Sequence, residues 1–362
     1  MVASSEGVLV GGRVVLLPPS LALIWDPARK TSIPASMKQI EPTQPVPRIY
    51  PLQWIRPAGR SCGQIRPYAV LAFIVAISLP RLLQAAPIDV NQLWNWDSPA
   101  RSEARFRAAL AGADADQTFI LQTQIARTYG LRGQFAQARQ ILDDLKPKLR
   151  HVSPEAQVRY HLERGRTFAS AVSVAGGPSP EMLREARGEY NEAFRLADQH
   201  HLDDLAVDAL HMMAFVDKAP ADQLRWTNRA LAFALHSSDP KSQDWEASLR
   251  NNIGGALNDL GRYAEALEQF RIALALRARA GDAERTRQAW CSVGWTLRLL
   301  GRNTEALAIQ QQLLAEYDAI GATNPDVLDE LKEIYRATGD ERDAAVYASR
   351  LQEYQAAHPD AP

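Results

Sequence analysis

The chain has 362 residues, of which 46% are hydrophobic and 23% charged; this is the composition of a folded protein and excludes a disordered or fibrous one. Its formal net charge of −1 is unevenly placed, with about +6 on residues 1–86 and about −7 on the rest. A mildly acidic body argues against a nucleic-acid binder, which needs a concentrated basic face, and two distant cysteines, Cys62 and Cys291, imply no disulfide framework.

Residues 1–66 show no persistent helical or strand period. Half of the 22 prolines lie before residue 81, each removing a backbone donor and restricting its predecessor, so this stretch is expected to be a disordered Pro-rich extension. The apolar run Tyr68–Leu79 (YAVLAFIVAISL) follows Arg48, Arg56, Arg60 and Arg66 and precedes Pro80-Arg81 and the small pair Ala85-Ala86. About 12 residues fall short of the roughly 20 that span a bilayer as a helix, yet they suit the core of an export signal. Residues 67–86 are therefore read as a signal peptide, cleaved after Ala85 or Ala86, with an uncleaved membrane anchor as the alternative. The mature protein is expected in the periplasm or secreted, or tethered with its folded part outside the cytoplasm. A signal placed this late fits translation starting at Met37. Cys62 precedes the run and so cannot be a lipoprotein's acylated cysteine, which follows it.

Residues 87–362 read as helix throughout. Ser98-Pro99 opens a first helix over 100–111, with Phe106 and Ala109 on one face. Repeats then follow. Ile125-Ala126, Tyr129, Gly133, Phe135, Ala138 and Leu142 form one unit over 119–146. Weaker units occupy 154–198, with Gly165, Ala186 and Tyr190 and an inserted Ala175-Gly176-Gly177-Pro178 loop, and 203–236, with Ala209, Met212 and Ala230. The clearest copy, over 247–280, reads Ile253-Gly254, Leu257, Gly261, Tyr263, Ala266, Phe270 and Ala273. It recurs over 287–319 (Val293-Gly294, Leu297, Gly301, Ala306, Leu313) and 325–358 (Leu331, Tyr335, Gly339, Ala344, Leu351). Small residues at two positions let helix backbones approach, large ones fill the layer between, and a glycine ends the first helix of each pair. No hairpin buries its face alone, so the units must stack.

These residues, in register over four copies, resemble the tetratricopeptide repeat family, and the turn glycines at 261, 301 and 339 give a unit longer than its usual roughly 34 residues, similar to the kinesin-light-chain-like variant. The resemblance implies an all-α, right-handed superhelix of antiparallel hairpins, about 13 helices in all, with a concave groove that holds a peptide or partner protein. It also implies which first-helix positions face that groove: Thr123 and Arg127; Asn251, Gly255 and Asn258; Cys291, Trp295 and Arg298; Asp329, Glu333 and Arg336. The Lys and Asn by which chaperone-tail receptors of this family clamp a C-terminal carboxylate are absent from the corresponding positions.

The sequence holds no nucleophile elbow, phosphate loop or zinc-type histidine pair. The adjacent His200-His201 point to different faces of a helix, and Cys291 beside Trp290 reads as an inert thiol. No catalytic, cofactor or metal residue is assigned, and an enzyme is not expected. The reading is a protein–protein scaffold or adaptor of a bacterial cell envelope, with no nucleic-acid partner and membrane contact only through residues 67–86. The alternatives are a cytoplasmic regulatory or sensor protein and an accessory subunit of an envelope enzyme or assembly complex.

Overall fold

A computed structural model describes residues 7–10, 13–16, 88–96, 98–169 and 177–358. Near the amino terminus, β1 (Gly7–Val10) pairs antiparallel with β2 (Arg13–Leu16), Gly7 lying opposite Leu16. The proline content of the extension predicts no ordered strand there. The valines at 8, 10, 14 and 15, flanking Gly11-Gly12, supply the β-branched character that the proline count obscures. The rest of the Pro-rich extension and the whole 67–86 segment lie outside the described residues. Among the described residues no helix is long and apolar enough to cross a membrane.

Two short elements, α1 (Val90–Leu93) and α2 (Pro99–Ala109), lead into six helical hairpins. The first three are α3–α4 (Ala115–Leu131, Phe135–Leu145), α5–α6 (Pro154–Ala169, Pro180–Gln199) and α7–α8 (Asp203–Val216, Pro220–His236). After the single turn α9 (Pro240–Gln243) come α10–α11 (Glu246–Asp259, Tyr263–Ala280), α12–α13 (Ala283–Leu299, Asn303–Ala319) and α14–α15 (Pro325–Thr338, Glu341–Ala357). Among the described residues thirteen helices have eleven residues or more, and each packs on its sequence neighbours, so the fold is the expected helical-repeat superhelix.

Local chemistry sets the helix ends. Ser98 and Ser179 accept from the first-turn backbone with proline at the first helical position, and Asp114 with Gln117 forms a full capping box. Gly261 and Gly301 close α10 and α12 at φ of +72° and +73°, a backbone that residues with a Cβ rarely adopt.

Three of the six hairpins close on a tight contact at a glycine. A Cβ on Gly254 would lie 2.8 Å from the ring of Phe270, one on Gly165 would meet Tyr190 at 2.4 Å, and one on Gly294 would meet Gln310 at 2.6 Å. Gly254 and its neighbour Gly255 therefore make a paired test. For Gly254→Ala, overpacking of about 1–3 kcal/mol outweighs a helix-propensity gain of about 1 kcal/mol, for a net loss. For Gly255→Ala, where nothing lies within 4 Å, only the gain of about 0.5–1 kcal/mol remains. Urea unfolding should shift in opposite directions for the two; shifts of the same sign would disprove the assigned contact.

The first hairpin is covered as well as stacked. Val90, Trp94 and Phe106 join Phe119, Ile120, Leu121, Ile125 and Ala126 in one buried cluster. The indole N–H of the buried Trp94 donates to Gln124 Oε1 at 3.2 Å, so residues 88–96 and α2 act as the amino-terminal cap that a solenoid needs over its first apolar face.

Candidate functional site

The first helices of successive hairpins are joined along the solenoid by polar rungs. Arg127 of α3 donates to Glu163 of α5 at 3.3 Å, and Arg166 of α5 reaches both oxygens of Asp208 on α7 at 2.5 and 2.6 Å. The Asn252 amide of α10 donates to Nε2 of His211 on α7 at 2.9 Å. The Asn258 amide meets Thr296 of α12 at 2.9 Å, and Arg298 grips both oxygens of Glu330 on α14 at 2.8 and 2.9 Å. Every adjacent pair of first helices thus shares at least one such bond.

Two cavities open along the same row of first helices. One, of about 260 Å³, is lined by Asn251, Asn252 and Gly255 of α10 and Ser292 and Trp295 of α12, with Phe270 behind. The other, of about 250 Å³, is lined by Arg127 of α3, Glu163 and Arg166 of α5, and His211, Met212 and Phe215 of α7. Phe215 lines both and is 48% exposed, a large apolar ring held at the surface between them. Trp295 is partly buried, its ring centroid 6.4 Å from that of Phe270, and its indole N–H has no partner among the described residues.

The positions implied by the family resemblance divide accordingly. Asn251 and Trp295 line the first cavity together, with Gly255 beside them, and Arg127 lines the second. Thr123 is fully buried and donates to Ile120 O at 2.7 Å, because the cap over α3 covers the face that later repeats leave open. Asn258 and Arg298 are committed to the rungs: at their common position in the repeat the side chain faces the next first helix, not the groove. Asp329, Glu333 and Arg336 line neither cavity. Asp329 and Glu333 both pair with Lys332, and Glu333 also pairs with Arg336 at 3.0 Å, in a solvated row on the last hairpin. Burial pushes the Cys291 thiol up to about 12, and an unactivated thiol is what the sequence implies.

Sequence reasoning missed Glu163, Arg166, Asp208 and His211, which lie in the two units that match the repeat pattern weakly. The available signal was the charge itself, four polar or ionisable residues on helix faces that neighbours must cover. Burial opposes the charge on Arg166, but Asp208 and Glu163 outweigh it and raise its pKa; burial opposes ionisation of Asp208 too, and Arg166 and Arg127 keep its carboxyl below the usual range. Burial, with Arg166 nearby, lowers the Arg127 pKa, and burial lowers that of His211. Trp94 and Trp96 stack at 4.3 Å between centroids, and the Arg127 guanidinium lies 5.6 and 5.1 Å from those rings.

A solenoid of helical hairpins with an open, cavity-bearing row of first helices defines a class of proteins that hold other molecules along one face. Residues 245–319 match the family model of the tetratricopeptide repeat, so this part of the chain is a tetratricopeptide-repeat region. Among solved structures, a signal transduction ATPase with a tetratricopeptide repeat sensor from Pyrococcus horikoshii is similar at a TM-score of 0.55 and 11% identity over 71% of this chain. The chain spans 40% of that larger protein. A Rap protein complexed with Competence and Sporulation Factor gives a TM-score of 0.51 at 14% identity, over 75% of this chain and 77% of that one. PilW, a type IV pilus biogenesis factor, gives 0.48 at 18% identity, over 68% and 96%. At these identities the likeness is one of fold. No curated protein matches the chain.

Proposed function

We propose that this protein is a scaffold that holds an extended segment of a partner protein across the row of first helices, and that it works outside the cytoplasm of a bacterial cell. The observation that carries the binding reading is the pair of cavities sharing Phe215, with Trp295 and Asn251 at one end and Arg127 at the other. An extended segment offers alternating side chains and unpaired backbone amides. Phe215 and Trp295 offer apolar surface at low conformational cost, and the Asn251 and Asn252 carboxamides offer donors and acceptors. The repeat fold is in general a non-catalytic interaction scaffold, and nothing in either cavity pairs a nucleophile with a base. The export reading rests on the basic flank and apolar run of residues 67–86.

Trp295→Ala should weaken partner binding by about 2 kcal/mol or more, the loss typical of an aromatic hot spot, while helix content stays near wild type. Partners come from crosslinking and mass spectrometry on the native protein; affinity and melting curve are then measured on the same variant. A large fall in melting temperature with unchanged affinity would remove Trp295 from the site and return it to the core. For export, amino-terminal sequencing of the native protein should begin near residue 86 or 87 in an envelope fraction. A cytoplasmic product that retains residues 68–79 would refute that part.

A further inference from the structure

Resting on the proposal that the groove holds an extended polypeptide, we infer that the Arg127–Glu163–His211 cavity is a specificity pocket for an uncharged carboxamide, the side chain of Asn or Gln. Glu163 is 2% exposed and lines the cavity, and its Oε2 has no hydrogen-bond partner. Its other oxygen, Oε1, is shared between Arg166 at 2.6 Å and Arg127 at 3.3 Å. Arg166 is fully engaged, since it also takes Asp208. Arg127 is not: the ion pair to Glu163 is long, and its Nε–H is buried without an acceptor. His211 leaves a third group open. With the Asn252 amide donating to Nε2, the ring proton sits on Nδ1, which is buried and has no acceptor either.

The residues around the cavity therefore carry two unpaired donors and one unpaired acceptor, and buried polar groups in a native protein nearly always find a partner in protein, water or ligand. Two arginines stand against two carboxylates, so the local charge is balanced. An incoming carboxylate would find Arg127 but would stand against Glu163 Oε2. An incoming ammonium would find Glu163 but would stand against Arg127 and Arg166. A neutral apolar group would leave all three polar atoms unpaired. A carboxamide accepts from Arg127 or His211 through its oxygen and donates to Glu163 through a separate atom, its nitrogen, where a hydroxyl must do both with one oxygen. Met212 and the exposed Phe215 can pack its methylenes. Burial, which lowers the pKa of His211, favours the neutral ring that this pairing requires.

The test starts from linear peptides selected on the full-length protein from a random display library. Each position of a selected peptide is then replaced in turn by Gln, Glu, Lys, Leu and Ser, and affinity is measured by titration. One position should prefer Gln or Asn at least tenfold over Glu and Lys, and severalfold over Leu and Ser. In Glu163→Gln, which leaves two arginines facing one carboxylate, preference at that position should turn toward Glu; a melting curve and helix content show whether this variant folds. The wild-type substitution series decides the matter even if it does not. Peptides that bind and lose affinity in Trp295→Ala, yet show no carboxamide preference anywhere, would overturn the pocket and leave the groove reading standing. Failure of any library peptide to bind in a Trp295-dependent way would overturn both.

Discussion

Asp208→Ala should destabilise the middle of the solenoid by about 3–5 kcal/mol, the cost of removing one partner from a buried ion pair. Asp208 is 7% exposed and both its oxygens are taken by Arg166, so the truncation leaves a buried guanidinium with Glu163 as its sole carboxylate partner. Asp208→Asn should lose much less, because its amide oxygen still accepts from the Arg166 guanidinium and Arg166 still pairs with Glu163. Repeat arrays need not unfold in one step, so the measurement of choice is native-state hydrogen exchange. Amides of α5 to α8 should lose protection in Asp208→Ala and keep more of it in Asp208→Asn. If the single variant matched wild type, the rung between these helices would not be a structural tie.

Phe270→Ala should cost a similar amount, about 3–5 kcal/mol, as expected for emptying a buried aromatic. The ring is 1% exposed, fills the space that Gly254 leaves, and backs Trp295. Exchange should increase in α10 to α13, and partner affinity should fall even in the folded fraction, because Trp295 loses the surface that orients it. A replacement of similar shape, Phe270→Leu, should restore most of the stability. Full stability in Phe270→Ala would mean that the hairpin collapses onto the gap, and the close approach at Gly254 would then have no packing role.

The strong repeats were legible because their structure depends on residue type at fixed spacing. Gly254 opposite Phe270 and the turn at Gly261 are steric requirements that few other residues meet, so they leave a mark in one sequence. The 154–236 region was only half legible. Its hairpins are held by Arg166–Asp208 and the rungs on either side, and a buried ion pair needs complementary charges at two sites some forty residues apart, which leaves no periodic signal. The cavity-lined row was legible for Arg127, Asn251 and Trp295. It was misread for Asn258 and Arg298, since a position that points toward the inner face can equally point along it to the next helix, and the presence of Thr296 and Glu330 in reach decides which. Thr123 failed for a different reason: the residues that cover it come from before the first repeat.

By itself the sequence determined the helical-hairpin fold, the strong repeats, and the apolar export-like run near residues 67–86, because small-residue approach, glycine turns and hydropathy are all local properties of a chain. Only the tertiary structure decided which polar side chains tie repeats together and which remain free. That division depends on what each side chain meets across the interface, and the partners of Arg127, Arg166 and Arg298 lie on the next first helix, 36, 42 and 32 residues further on.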